Sequence, residues 1–324
     1  MRPALASKRA AFGLAALACL AAQSAAAQKW TERPYNPPVG SKWQIVTRAD
    51  TDETRAAGER RTRQIATRAE FSIEEKLADG YRIAYVMREI EASGNVPGTD
   101  IAAAAFGAMK DIVIRARTDA SGKPLMVENI DEVKASMSKV VERVASAFEK
   151  KPQVAALLRQ MMNGVLIVDG AAAAGVYMED MPVLAAGQNT GLQPGASRRE
   201  EEQVPSPLGG AAIKSVLITR LTSWDDATGK ARFTRTREMD REALKQATID
   251  IASRLITASG DKDSSKMVEI MKQVSFGIDN EVVIDVEDGM TRAIEDRSTI
   301  QASVMGQTFR KVEKKVVTVT ALGK

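Results

Sequence analysis

Histidine is absent from all 324 residues. Its absence removes the commonest general base, the commonest metal ligand and the usual switch between pH 5 and 8. Cysteine occurs once, at Cys19, inside what reads as a leader. With that leader removed, the chain has no thiol, and so no disulfide, no cysteine nucleophile and no thiolate metal site. Aromatic residues make up only 4%, so a core must be built mostly from Val, Ile, Leu and Met. A one-sided charge is missing too. Of the net +4, three positive charges belong to Arg2, Lys8 and Arg9, which leaves +1 for the rest. The basic pI therefore points to no acidic partner. A nucleic-acid surface needs a one-sided basic field and exposed aromatics, so nucleic acid is not an expected partner.

Arg2, Lys8 and Arg9 are followed by an apolar run from Ala10 to Leu20, too short to span a bilayer, and then by Ala25-Ala26-Ala27. This is the pattern of a cleavable secretory signal over residues 1–27, and it implies a periplasmic product. An alternative is lipidation at Cys19, because Ala16-Leu17-Ala18-Cys19 resembles a bacterial lipoprotein cleavage site, although its aliphatic and small residues stand in exchanged order. No second apolar span follows, so a transmembrane span is not expected in the mature chain.

What is present is strand pattern. Residues 28–40 form an extended entry segment, held open by Pro34, Pro37 and Pro38. Alternating apolar residues then mark strands around Trp43, Phe71 and Tyr85, with a hairpin turn at Asp79-Gly80. Strand pattern also covers Ile112 to Arg117 and Leu125 to Glu128. Between Ile130 and Val168 the period changes: Val133, Met137, Val140, Val141, Val144 and Phe148 fall on one helical stripe. Leu157, Leu158, Met161, Met162 and Val165 extend it past Pro152. The Gly/Ala-rich passage from Asp169 to Gly175 has no assignable pattern. Further strands are expected over Ser197 to Val204, Ala212 to Ser223, Ala231 to Glu238, Glu281 to Val286, Ile294 to Val304 and Phe309 to Val319. An amphipathic helix carrying Leu244 is expected from Arg241.

The two halves, 41–180 and 181–324, have similar order. A strand with Thr67-Arg68 precedes Gly80, and one with Thr219-Arg220 precedes Gly229. Each glycine opens a strand ending in an Arg-Glu pair, then come a helix and a hairpin. A strand–strand–helix–strand–strand duplication would account for this order, as would chance. The fold class is α+β: an antiparallel curved sheet, or two, covered by amphipathic helices.

No motif rises to a catalytic constellation. Ser136-Met137-Ser138-Lys139 has the S-x-x-K spacing of penicillin-recognising enzymes, but no K-T-G follows and it lies on the polar side of a helix. Asp261-Lys262-Asp263 opens like a calcium loop, yet Lys266 and Lys272 stand where glycine and glutamate are needed. Asp285, Glu287, Asp288, Glu295 and Asp296 form the densest acidic group, expected as a solvated edge. Arg60, Arg61, Arg63 and Arg68 are expected on a solvated strand face, balanced by Glu59, Glu70, Glu74 and Glu75. No cofactor is implied.

Pro37-Pro38-Val39-Gly40, leading into a strand with Trp43, resembles a group of uncharacterised secreted proteins of Gram-negative bacteria. Val286-Glu287-Asp288-Gly289-Met290 resembles their later strand–turn–strand repeats. The resemblance implies no catalytic residues. More remotely, a curved sheet covered by helices is similar to periplasmic lipoprotein carriers, which hold acyl chains in the hollow. The expectation is a non-enzymatic periplasmic binding or carrier protein for an apolar or lipid-like ligand. Leu157, Leu158, Met161, Met162 and Val165 are its candidate ligand-lining residues. The alternative is a cell-envelope interaction protein with a protein partner and no small ligand.

Overall fold

The computed structural model describes residues 30–323 apart from 56–57, 97–98, 100–106, 108–109, 148–151, 154, 157–158, 160–167, 179, 205–211, 241, 247–274 and 305–306. Its strands are β1 (Lys42–Thr54), β2 (Arg60–Lys76), β3 (Gly80–Gly94), β4 (Val113–Asp119), β5 (Pro124–Val127) and β6 (Ser197–Val204). They continue as β7 (Ile213–Asp225), β8 (Lys230–Met239), β9 (Ser275–Glu287), β10 (Met290–Val304) and β11 (Gln307–Leu322). Between β5 and β6 lie helices α1 (Ile130–Ala147) and α2 (Gly170–Tyr177) and a 3₁₀ turn, Met181–Ala185.

All eleven strands join one open, curved, antiparallel sheet in the order β5-β4-β3-β2-β1-β11-β10-β9-β8-β7-β6. Two five-stranded meanders thus flank the middle, β1 to β5 running outward to one edge and β6 to β10 running inward from the other. β11 closes the gap by pairing with β1 from Lys42↔Leu322 to Thr54↔Arg310, and with β10. Of the two sheet arrangements expected, the single one is found. Each meander has a long connection after its third strand, in line with the order read from the sequence. Register shifts at Arg68/Ala69, Ile73/Glu75, Leu221/Ser223 and Thr291/Ala293 interrupt the ladders. Such bulges bend and twist long strands.

Helices cover the sheet only in part. α1 lays Val133, Met137, Val141 and Ala145 inward, and α2 buries Ala173, Ala174 and Tyr177. These side chains meet Ile45, Phe71, Ile73, Ile83 and Tyr85 from the inner face of the first meander. The unassigned Gly/Ala passage is therefore helix α2, begun by Asp169, whose carboxylate accepts the Ala172 amide at 2.8 Å. A second apolar cluster gathers Trp30, Leu192, Leu221, Phe233, Ile284 and Val286 under the other meander. Among the described residues no helix is long and apolar enough to cross a membrane.

The proline-rich entry segment is a strap across hairpin tips. Trp30 and Tyr35 are buried, and Tyr35 meets Tyr81 edge to face at 5.4 Å. Arg33 pairs with Asp288 and donates to the Asp226 carbonyl at 2.7 Å, while Glu32 accepts the Thr190 and Gly191 amides, each at 3.0 Å. The outer face of the sheet is a lattice of ion pairs, including Arg82 with Glu75 and Glu128 and Arg232 with Asp285.

Candidate functional site

The polypeptide from Met178 to Gly187 crosses the inner face of the sheet near its centre. Met178, Met181 and Leu184 are fully buried and anchor it. The Leu184 carbonyl accepts from Thr291 Oγ1 at 3.2 Å and from Gln188 Nε2 at 2.8 Å. Gly187 lets the chain pass close to β9, since a Cβ there would stand 2.2 Å from Val286 Cγ2. Held this way, the segment roofs a cleft of about 310 Å³ against β7 to β11. A volume of that size lies at the lower end of the range for small-molecule sites.

The cleft has two chemistries. Val183, Leu217, Val282, Ile284, Ile294 and Val317 supply aliphatic walls. Asp180, Arg235, Arg237, Asn280, Asp296 and Lys315 supply the polar groups. Strand parity places several of the latter: Ala231 and Phe233 face inward on β8, so Arg235 and Arg237 follow on the same side. On β11, buried Val317 and Val319 likewise bring Lys315 inward.

Each polar group has its own partners. Asp180 is buried and accepts from Thr47 at 3.1 Å and Thr67 at 3.3 Å, with Lys315 Nζ at 3.9 Å. Arg237 Nε donates to Glu202 at 2.6 Å, and Ser215 supports that carboxylate at 3.1 Å. Asn280 Nδ2 donates to Asp296 Oδ1 at 2.9 Å. Burial pushes the Asp296 carboxyl above the usual carboxylate range, against the pull of Asn280, Lys315 and Arg237. Arg235 donates to the Ala186 carbonyl, and its buried Nε has no hydrogen-bond partner among the described residues. Burial pushes its affinity for the proton down.

The expected lining residues Leu157, Leu158, Met161, Met162 and Val165 lie outside the described residues, as do Cys19, the signal segment and the Asp261 loop. Ser138 donates to the Lys134 carbonyl at 2.9 Å, an ordinary intrahelical bond, and Lys139 is exposed. The acidic group is divided by the fold. Asp285, Glu287 and Asp288 reach solvent and pair there with Arg232, with Lys230 and Arg292, and with Arg33. Asp296 sits across the sheet in the cleft. No group of three metal-binding side chains occurs among the described residues. Arg60, Arg61 and Arg68 are paired with Asp52, Glu59 and Glu89. Arg235, Lys315 and Asp180 carried no motif. For Arg235 and Lys315 the sequence signal was a charged residue at the same parity as Phe233 and Val317, and Asp180, in the turn before Met181, had none.

No family model matches the sequence, and no curated protein matches it. Among solved structures, lipovitellin, from a study of its lipid–protein interactions, aligns over 89% of this chain and 26% of its own, at 7% identity and a TM-score of 0.40. The chain thus spans about a quarter of that structure's length. DynF, from the dynemicin biosynthesis pathway of Micromonospora chersina, aligns over 91% and 86% at 6% identity and a TM-score of 0.19. An outer membrane channel from Pseudomonas putida F1 aligns over 89% and 98% at 8% identity and 0.17. None of these likenesses assigns the chain to a family.

Proposed function

We propose that this chain is a non-enzymatic binding or carrier protein of the bacterial periplasm, and that a lipid-like ligand lies in the cleft beneath residues 180–186. The observation that carries the reading is the cleft's division into aliphatic walls and a polar end on the inner face of an open sheet. A purely structural core would be closed and apolar, because buried polar groups cost free energy unless each is satisfied. A cleft that stays open beside a buried arginine Nε without a partner suits a molecule that is apolar along most of its length and polar at one end.

Native mass spectrometry of the full chain, expressed with its leader and purified from the envelope fraction, tests this. The expected result is a fraction of the protein carrying an added mass that organic extraction removes and identifies as an amphiphile. A clean apo mass, with no uptake of amphiphiles added afterwards, would overturn the reading. A second reading, an envelope protein with a protein partner, draws on Leu125, Met126 and Val113, which are exposed at the β4–β5 edge. Capture of a protein at that edge would favour it.

A further inference from the structure

Arg235 is the least compensated charge in the cleft. Arg237 has Glu202, and Lys315 stands near Asp180. Among the described residues Arg235 has only a backbone carbonyl, and of its charged neighbours Glu200 and Arg198 act in opposite directions. The two carboxylates of the cleft are engaged elsewhere, Asp180 by Thr47 and Thr67 and Asp296 by Asn280. A guanidinium drawn out of water without an anionic partner is costly, and it is the side chain whose planar donors best fit a carboxylate or phosphate. Arg237, two residues along β8, lines the same space and adds to the positive side, while Lys315 stands beyond β9 and β10, next to Asp296.

We infer that this end of the cleft is an anion site for the carboxylate or phosphate head of a single-chain amphiphile, held by Arg235. The aliphatic row beside it, formed by Ile284, Ile294 and Val317, then takes the chain of the same molecule. The inference rests on the binding reading above, and it narrows the ligand class from amphiphile to anionic amphiphile.

Displacement of the neutral fluorescent probe N-phenyl-1-naphthylamine from the delipidated full chain provides the test, with dodecanoate, dodecyl phosphate and dodecanol as competitors. Wild-type protein is expected to bind at least one of the two anions tenfold or more tightly than the alcohol, and the tighter of the two identifies the head. Arg235→Met should bring that anion to the level of dodecanol measured on the same variant, so that the preference for the anion is lost. Arg235→Lys should fall between. Arg235→Gln supplies the same comparison if Arg235→Met does not fold, as judged by its melting curve, and should cost the anion several-fold. Equal binding of all three competitors by the wild-type chain would overturn the anion site while leaving a carrier in place. Failure of the chain to take up the probe or any competitor would overturn the carrier reading itself.

Discussion

Asp296 and Gly289 show how much one residue carries here. Asp296 is half-buried and its carboxyl is held above the ordinary carboxylate range, so the folded state favours its neutral form. Below the ordinary carboxylate pKa both folded and unfolded chains are protonated there and the group contributes nothing. As pH rises through that value to the raised folded one, the folded chain holds more protons, and the stability attributable to this group falls. Asp296→Asn should therefore gain stability relative to wild type as pH rises through this window, in urea unfolding at pH 3 to 7. A constant difference across the window would contradict the assignment. Asp288 and Gly289 both have positive φ, 52° and 74°, in the two-residue turn between β9 and β10. A Cβ on Gly289 would also stand 2.4 Å from the Pro34 carbonyl oxygen of the strap. Gly289→Ala should cost roughly 1–3 kcal/mol, read as a lower urea midpoint with an unchanged slope. The turn was legible because Asp-Gly between apolar runs has one preferred backbone. The position of Asp296 was not. Its neighbours Val282 and Lys315 are brought beside it by strand pairing, and adjacent Met290 and Thr291 are both buried where β10 bulges, so simple alternation does not carry through.

Strands were more readable than helices because period two shows in short windows, whereas α2 offered no contrast between faces. Its sequence, GAAAAGVY, has no polar position, and it is a helix because Asp169 caps it and Ala173 and Ala174 fit closely under the sheet. Pairing partners were less legible still, since nothing in β11 states that it lies between β1 and β10. Its central place gives a sharp expectation. Thr318 is exposed, yet its backbone stands between Val46 and Ala293. Thr318→Pro removes a ladder hydrogen bond in the middle of a sheet, where proline is not accommodated. The expected loss is on the order of 2–4 kcal/mol in denaturant titration, against almost none for Thr318→Ser. Equal stabilities of the two variants would show that the β1–β11 seam does not hold the meanders together.

At the scale of the whole molecule, the sequence reading left open one sheet or two, and the ladder through β11 decides for one. The inner face of that sheet is covered in part by α1, α2 and the Met181–Ala185 turn, and the space left between cover and sheet is where the chemistry collects. Sequence reasoning placed the ligand against Met161 and Met162 because methionine-rich helical stripes suit adaptable pockets. Those methionines lie outside the described residues, and the cleft described here is made by residues far apart in the chain, from Asp180 to Val317, which no local pattern unites. Filling it is the most direct test of the account. Leu217 lines one wall and is half-buried, so Leu217→Trp should occupy the cleft without removing any polar group. In isothermal titration with dodecanoate, the wild-type chain is expected to bind one equivalent. The variant, melting at the same temperature, should bind at least tenfold more weakly, and equal affinity in the two proteins would contradict the placement of the ligand in this cleft.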